Sequence, residues 1–245
     1  MPQFEAVTEH IRRLELPWRI SRLMTIPVSV WLVQDAENST MIDSGPPETT
    51  DLVVAAVAQA TGGRGPQRIL LTHAHYDHGG GIAAVRKTWD PPVLCHRDEV
   101  SFVTGELDHR MIKPHSFASW IGRFLVKGSA WGEPVARDFE RGQAAFRMVV
   151  IPLPGHTPGQ VGFLHPEDHA FICGDAVMNL RGRLSPPFGM ATPDPVQAEI
   201  SMHRMGELEF LHLLPSHGPV ILRSGRTALL DFLERRVGGE MSSTR

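Results

Sequence analysis

Along the first hundred residues, segments whose hydrophobic pattern is typical of strands alternate with segments whose pattern is typical of helices. Runs of β-branched and aromatic residues predict strands at 28–33, 40–42, 68–71 and 93–95. Apolar residues at helical spacing predict helices at 51–60 and 82–89, the first ended by Gly62 and Gly63 and the second by Asp90 and two prolines. Strands that alternate with helices are typical of an α/β fold.

The second half of the chain returns to these patterns after an irregular segment. At 97–147, helix-like apolar positions such as Trp120 and Phe124 are broken by prolines and glycines, which predicts a partly helical insertion. Strands are predicted at 146–151, 160–164, 170–173 and 211–214, and helices at 195–208 and 224–237. No repeat or linker-like tract divides the chain, so we predict one domain over residues 1–245.

Composition excludes several classes of protein. The 245 residues are 42% hydrophobic, which is enough for a sizeable core, and the net charge of -3 gives no sign of nucleic-acid or membrane-surface binding. No apolar stretch of about 18 residues occurs and the first sixteen residues carry several charges, so we expect no membrane span, no secretory signal and a cytoplasmic location. The two cysteines, Cys95 and Cys173, are too few for a disulfide framework.

The histidines indicate a possible functional site, because the chain has 13 of them and several lie close together in sequence. Four potential metal ligands, His73, His75, Asp77 and His78, lie within six residues at a predicted junction of strand and helix. Imidazole and carboxylate groups suit zinc, iron or manganese, and side chains at such a turn can converge on one point. The alternative, a loop of exposed polar residues, is disfavoured because the pattern is rare by chance.

This block resembles the signature of the metallo-β-lactamase superfamily of dinuclear metallohydrolases, and the rest of the family's motifs stand in order around it. Residues 42–45 resemble the early Asp-Thr/Ser-Gly turn, 154–159 the second histidine motif, 174–175 the bridging aspartate and 214–218 the last histidine motif. The resemblance runs from residue 28 to about residue 235.

The resemblance implies both a fold and a ligand set. The fold is an α/β four-layer αββα sandwich, in which two mixed β-sheets lie face to face and helices flank them. The cofactors implied are two divalent metal ions, Zn²⁺ in the first place, with Fe or Mn as alternatives. The implied ligands are His73, His75 and His156 for the first ion, Asp77, His78 and His217 for the second, and Asp175 as the bridge. Asp43 would hydrogen-bond near the ligands and fix their orientation.

Such a site would perform hydrolysis. Two cations lower the pKa of a bound water and stabilise an oxyanion, and Asp77 would orient the bridging hydroxide. We therefore expect a metal-dependent hydrolase whose hydroxide attacks the carbonyl of a small ester, lactone or thioester. A lactonase-like activity comes first, because the insertion is apolar and the stretch after His217 is too short for the helical glutathione-recognition domain of glyoxalase II. The alternatives are an iron-dependent thiol or persulfide dioxygenase and a non-catalytic metal-binding module.

The substrate, expected to be a small molecule, has several candidate contacts. The candidate pocket residues are Tyr76, Trp120, Met178, Phe188 and Met190, for each of which core packing is the alternative. Three other histidines, His96, His109 and His115, also lie where they could line a pocket. The insertion itself is either a cap that recognises the substrate or the interface of a homodimer.

Overall fold

The computed structural model describes residues 2–20, 24–35, 38–125, 132–135, 137–139, 144–145 and 147–243. The strands in these ranges are β1 (Glu5–Ala6), β2 (Ile11–Arg19), β3 (Thr25–Gln34), β4 (Ser39–Ile42), β5 (Arg68–Leu70), β6 (Val93–His96), β7 (Arg137–Phe139), β8 (Ala144–Ala145), β9 (Met148–Pro152), β10 (Val161–His165), β11 (Ala170–Gly174), β12 (Met178–Leu180), β13 (Arg183–Ser185) and β14 (His212–Pro215). The α-helices are α1 (Thr50–Thr61), α2 (Tyr76–Gly79), α3 (Ile82–Trp89), α4 (Val100–Val103), α5 (Phe117–Leu125), α6 (Pro195–Gly206) and α7 (Gly225–Ser243).

The strands form two mixed sheets and a small ribbon. One sheet has the order β1-β2-β3-β4-β5-β6-β7, antiparallel from β1 to β4 and parallel from β4 to β7. The other has the order β14-β11-β10-β9-β8, in which only β11 and β14 are parallel neighbours. Strands β12 and β13 pair with each other alone among the described strands.

Three apolar layers hold these sheets and helices together, because successive side chains of a strand point to opposite faces of its sheet. The layer between the two sheets includes Trp31, Ile42, Leu70, Val150, Phe163, Ile172 and Leu214. The layer between the first sheet and helices α1 and α3 includes Met41, Ile69, Val93, Val53, Val57 and Ile82. The layer between the second sheet and helices α6 and α7 includes Phe171, Leu213, Met202, Met205, Leu229 and Phe232. Helix, sheet, sheet and helix therefore follow one another, which confirms the predicted αββα sandwich.

The predicted elements are present, with ends that differ by a few residues. Helix α3 has the predicted bounds, and it ends where Asp90 takes a left-handed conformation with φ 49°. Strands β1 and β2 were not predicted, although Ile11, Leu14 and Leu16 of β2 are buried. The interrupting arginines and glutamate concealed this strand. The ribbon of β12 and β13 was also missed.

The segment at 97–147 contributes to the sheets as well as to short helices. Its described residues include α4, α5 and 3-10 turns at Arg97–Glu99 and His109–Met111. They also include β7 and β8, which are edge strands of the two sheets. Across the part of the chain that the structure describes, no helix is long and apolar enough to cross a membrane.

The apolar layer between the sheets is expected to stabilise the fold, and removal of one of its large side chains tests this. Phe163 is fully buried there, so Phe163→Ala is expected to lower the free energy of unfolding by about 3–5 kcal/mol. Phe117 is 75% exposed, so the same change at Phe117 is expected to shift it by no more than about 0.5 kcal/mol. Urea unfolding of both variants measures the difference, and equal losses would contradict the assignment of this layer.

Candidate metal centre

All seven predicted ligands and Asp43 lie at one edge of the sandwich, because each follows the carboxyl end of a strand. Parallel strands β4 and β5 lead to Asp43 and to the turn that carries His73 and His75, and α2 then presents Asp77 and His78. In the second sheet, β11 leads to Asp175 and its parallel neighbour β14 leads to His217. His156 lies in the turn between β9 and β10. Carboxyl ends of strands are where α/β sheets hold their functional groups.

Close contacts at two glycines directly after α2 bring this helix against the turn that holds Asp43. A Cβ at Gly81 would lie 2.2 Å from the carbonyl oxygen of Ser44, and one at Gly80 would lie 2.3 Å from Cδ of Pro47. The amide of Gly81 donates to the carbonyl of Gly45 at 3.0 Å. The glycines after the ligand block therefore let the two loops touch.

The seven side chains form three overlapping groups whose ligand atoms lie within 4.8 Å of one another. These groups are His73, His75 and His156; His73, His78 and Asp175; and Asp77, His78 and His217. Asp175 lies between the outer two groups, because its Oδ2 is 3.4 Å from Nε2 of His156 and 3.2 Å from Nε2 of His217. The arrangement has the donor atoms for two neighbouring cations.

Five of these atoms are buried and have no hydrogen-bond partner among the described residues. They are Asp77 Oδ2, His78 Nε2, His156 Nε2, Asp175 Oδ1 and His217 Nε2. Each of them lies 3.2–3.4 Å from a nitrogen or oxygen atom of a facing ligand. Ligands at 2.0–2.1 Å from a tetrahedral metal lie about 3.3 Å from each other, so these spacings fit a metal ion.

In His217 and His156, the nitrogen that faces away from the centre makes a hydrogen bond to the protein. This bond determines which nitrogen of each ring can bind a metal. Nδ1 of His217 lies 2.8 Å from the carbonyl oxygen of Pro27, which can only accept, so Nδ1 carries the hydrogen. The Thr192 hydroxyl donates to the carbonyl of Phe188 at 2.9 Å and therefore accepts from Nδ1 of His156 at 3.0 Å. In the neutral form that binds a metal ion, a ring with its hydrogen on Nδ1 has its lone pair on Nε2. Without an ion and despite burial, Asp175 and Asp77 raise the pKa of His217, so a metal must displace a proton from Nε2 of that ring.

Asp43 orients two of the other three histidine rings, those of His78 and His73. Its Oδ2 accepts from Nδ1 of His78 at 2.9 Å and from the hydroxyl of Thr72 at 2.8 Å, and its Oδ1 accepts from the amide of Thr72 at 2.8 Å. The Thr72 hydroxyl can then accept from Nδ1 of His73, 3.1 Å away. Asp43 is fully buried and has a left-handed φ of 60°, which an aspartate tolerates better than most residues.

Burial and charge divide the site into neutral and charged groups. Burial, followed by the neighbouring imidazoles, holds the pKa values of His73 and His75 well below their usual range, so both are neutral. Burial opposes ionisation of Asp175, but His217 and His78 outweigh it and hold the Asp175 pKa well below its usual range. Burial also opposes a charge on His217, yet Asp175 and Asp77 raise the pKa of that ring to about 10. Buried carboxylates therefore create a strong demand for positive charge.

A second group of potential ligands, His10, His165 and Asp168, lies at the opposite end of β11. Unlike the carboxylates of the metal centre, its carboxylate has hydrogen-bond donors for both oxygens. There, Asp168 Oδ1 accepts from Nδ1 of His10 at 2.7 Å, and Oδ2 accepts from the amide of His10 and the hydroxyl of Thr8. Nδ1 of His165 accepts from the amide of Asp168 at 3.2 Å. Hydrogen bonds satisfy both oxygens of Asp168 and Nδ1 of His165, and Nε2 of His165 is the one atom of this group that is buried without a partner among the described residues.

The candidate pocket residues have different surroundings. Met178 is only 1% exposed, so its side chain offers no surface to a substrate and the prediction for it is corrected. Trp120 and Met190 are each 49% exposed and Phe188 is half-buried, whereas the Tyr76 hydroxyl donates to Glu48 at 3.3 Å. The choice between a substrate cap and a homodimer interface for the 97–147 segment stays a prediction.

Of the three extra histidines, His109 lies near the site. Its ring meets that of His75 edge to face at 4.8 Å. His96 instead accepts a hydrogen bond from the amide of Asp98 at 3.3 Å, and His115 lies 3.1 Å from Asp194.

Several residues of the site were missed from sequence. Trp18 stacks on His217 with ring centres 5.6 Å apart, and Thr72, Thr192 and Pro27 orient ligands as described above. Glu99 is fully buried directly after β6, the next parallel strand beyond β4 and β5. The position of Glu99 at a third carboxyl end was an available signal, because the first two such ends carry Asp43 and the histidine block.

Comparison with known proteins agrees with this geometry. Residues 24–217 match the metallo-beta-lactamase superfamily. A probable metallo-hydrolase of Bacillus subtilis, YflN, is 28% identical over 228 residues, which cover 84% of this chain and 85% of that protein. Partial matches include a hydroxyacylglutathione hydrolase of Ectopseudomonas mendocina, 26% identical over 60% of this chain and 46% of that protein. The human acyl-coenzyme A thioesterase MBLAC2 is 26% identical over 61% of this chain and 58% of that protein.

Solved structures share the fold. The metallo-beta-lactamase FIM-1 of Pseudomonas aeruginosa, in a mono-zinc form, superposes with a TM-score of 0.69 over 96% of both chains at 18% identity. TTHA1623, in a di-iron-bound form, superposes with a TM-score of 0.62 over 86% of this chain and 96% of that one, at 29% identity.

The contact at Gly81 leads to a prediction. Gly81→Ala is expected to lower the free energy of unfolding by about 1–3 kcal/mol, because its Cβ would overlap the Ser44 carbonyl. Gly189→Ala is the matched control, since its Cβ would meet nothing closer than 3.7 Å, and stability should stay level or rise by up to about 1 kcal/mol. Urea unfolding in chelator measures both, and a Gly81 variant as stable as the control would contradict the contact.

Proposed function

This chain belongs to the metallo-β-lactamase superfamily, and on that premise we propose that it is a metal-dependent hydrolase of small esters, lactones or thioesters. The observation that carries the proposal is the set of five buried atoms without hydrogen-bond partners in the described part of the chain, each of which lies 3.2–3.4 Å from a facing ligand atom. Leaving such groups unsatisfied in a protein interior costs free energy, and a cation removes that cost.

The proposed ligand assignment follows the three groups. His73, His75 and His156 would hold one ion, and Asp77, His78 and His217 the other, with Asp175 between the two. When bound, the ions would supply a hydroxide nucleophile at neutral pH and polarise a carbonyl oxygen. Asp77 would orient the attacking water through its carboxylate, and Asp43 would keep the ring of His78 in place.

Two donor groups favour hydrolysis over the alternatives. An iron-dependent dioxygenase of the kind considered above uses a single metal, whereas this chain buries two groups of donors side by side. A module without activity would have no use for the second group. The nitrogen and oxygen donors suit Zn²⁺ first and Fe or Mn next. The mono-zinc and di-iron forms of the two structural relatives support that choice.

The acyl class of substrate has support from the partial relatives and from exposed apolar side chains. Two of those relatives are named for the hydrolysis of acyl groups carried by glutathione or coenzyme A. Thr192 connects His156 to the loop that holds Phe188 and Met190, and the turn Gly189–Ala191 packs on α5, where Trp120 lies half exposed. We propose that these side chains contact the apolar part of a lactone or an acyl thioester.

Metal removal tests the requirement for ions. The purified protein is expected to contain about two metal ions per chain, and incubation with a chelator should remove both the ions and the hydrolysis of a panel of lactones, thioesters and phosphodiesters. Return of Zn²⁺, Mn²⁺ or Fe²⁺ separately should restore hydrolysis and identify the productive metal. Full activity without metal would refute the proposal, and oxygen consumption with a thiol substrate in place of hydrolysis would favour the dioxygenase.

Loss of single ligands tests the assignment. His75→Ala and Asp175→Ala are expected to reduce the metal content and abolish hydrolysis, because each removes a donor from a buried group. His203→Ala is the control, since its side chain is 47% exposed on α6. Metal analysis and turnover are compared in all three variants, and a ligand variant that keeps both ions and full turnover would refute the assignment.

A further inference from the structure

Glu99 is a fully buried carboxylate that the proposed ligand set does not use. It lies in the 3-10 turn Arg97–Glu99 directly after β6, at the edge of the sandwich that holds the metal centre. A buried carboxylate costs free energy unless hydrogen bonds or opposite charges satisfy it. The partners of Glu99 therefore indicate what it does.

Each carboxylate oxygen of Glu99 accepts a hydrogen bond from a different ligand-bearing loop. Oε2 accepts from the amide of Ala74 at 2.8 Å, and Oε1 accepts from the amide of Gly159 at 2.8 Å. Ala74 separates His73 from His75 after β5 in the first sheet, whereas Gly159 follows His156 in the turn before β10 of the second sheet. One side chain thus connects the two loops that carry the three-histidine group.

A third contact connects Glu99 to a ligand ring through His109. Nε2 of His109 lies 3.4 Å from Oε2 of Glu99. The ring of His109 stacks on Phe102 with centres 4.0 Å apart, and it meets the ring of His75 edge to face. The ring of His75 is therefore supported by a histidine that Glu99 holds.

The fit around Glu99 leaves little freedom. A Cβ at Gly159 would lie 2.8 Å from Cγ of Glu99 and 3.0 Å from its amide nitrogen, so only glycine permits this approach. Burial opposes ionisation of Glu99, but His109 and the amide of Ala74 outweigh it and lower its pKa, so the group is a carboxylate. Amide hydrogen bonds to an ionised carboxylate are about twice as strong as those between neutral groups.

We propose that Glu99 is a positioning residue that sets the distance between His73, His75 and His156 and thereby determines the affinity of that group for its ion. The inference rests on the proposed function, because it concerns the metal that those histidines would hold. Glu99→Gln keeps the shape but turns a second N–H donor toward one of the two amides. The two loops then lose one of their bonds to Glu99, and the three nitrogens lose their spacing.

Metal titration of the apoprotein tests the role directly. In wild type, Co²⁺ should bind in two steps, and Glu99→Gln is expected to weaken one of them by about 10- to 100-fold and leave the other unchanged. His156→Ala, which removes one of the three nitrogens, should weaken the same step, as the Co²⁺ absorption spectrum shows. Asp168→Asn is the matched control, because Asp168 also accepts hydrogen bonds from a backbone amide and a histidine ring but lies at the opposite end of β11. In this variant, both Co²⁺ binding steps should keep their wild-type affinities.

The outcomes separate the two proposals. A wild-type chain that does not bind two ions would overturn the proposed function, and this inference with it. Two ions in wild type, together with a Glu99→Gln variant in which both steps are unchanged or equally weakened, would overturn only the role of Glu99. Circular dichroism checks the fold, and if the glutamine variant does not fold, Glu99→Asp replaces it, since the shorter side chain cannot reach both loops and should weaken the same single step.

Discussion

The structure depends on one constraint, which is the convergence of buried imidazole and carboxylate atoms that have no partner in the described part of the chain. Asp77, Asp175 and the facing nitrogens of His78, His156 and His217 lie too close together to be stable as isolated groups. The hydrogen bonds behind the rings fix the lone pairs inward, since Pro27 and Thr192 hold the opposite nitrogens. A cation is the group that resolves this arrangement, so the fold and the proposed chemistry have the same requirement.

The two-sheet architecture explains how donors from distant parts of the chain reach this position. Parallel pairs β4–β5 and β11–β14 point their carboxyl ends to the same edge, and the apolar layer between the sheets holds those edges together. The amide of Val161 donates to the carbonyl of Thr72 at 2.9 Å, which joins the sheets beside the ligands. Glu99 makes one more bond of this kind, to Gly159, and a second bond within the first sheet, to Ala74. We propose that it thereby adjusts the spacing that the sheets set only approximately.

Local patterns predicted much of this arrangement, and long-range pairing decided the rest. Helix α3 and most strands were predictable because their apolar residues recur at helical or strand spacing along the sequence. The block from His73 to His78 was recognisable because its potential metal ligands are neighbours in sequence. Strand β2 was not recognised because of its arginines, although the guanidinium of Arg13 is largely buried: it donates to the hydroxyl of Ser29 at 2.9 Å and to the carbonyl of Gly218 at 2.8 Å. The contacts of Glu99 with the loops around Ala74 and Gly159 join residues that are far apart in sequence, so no local motif predicts them.

Anomalous diffraction from crystals of the metal-loaded protein, recorded at the absorption edge of the bound metal, tests the central claim most directly. Two peaks about 3.5–4 Å apart are expected, one among His73, His75 and His156 and the other among Asp77, His78 and His217, with Asp175 between them. A single peak, or a peak at the group formed by His10, His165 and Asp168 instead, would contradict it.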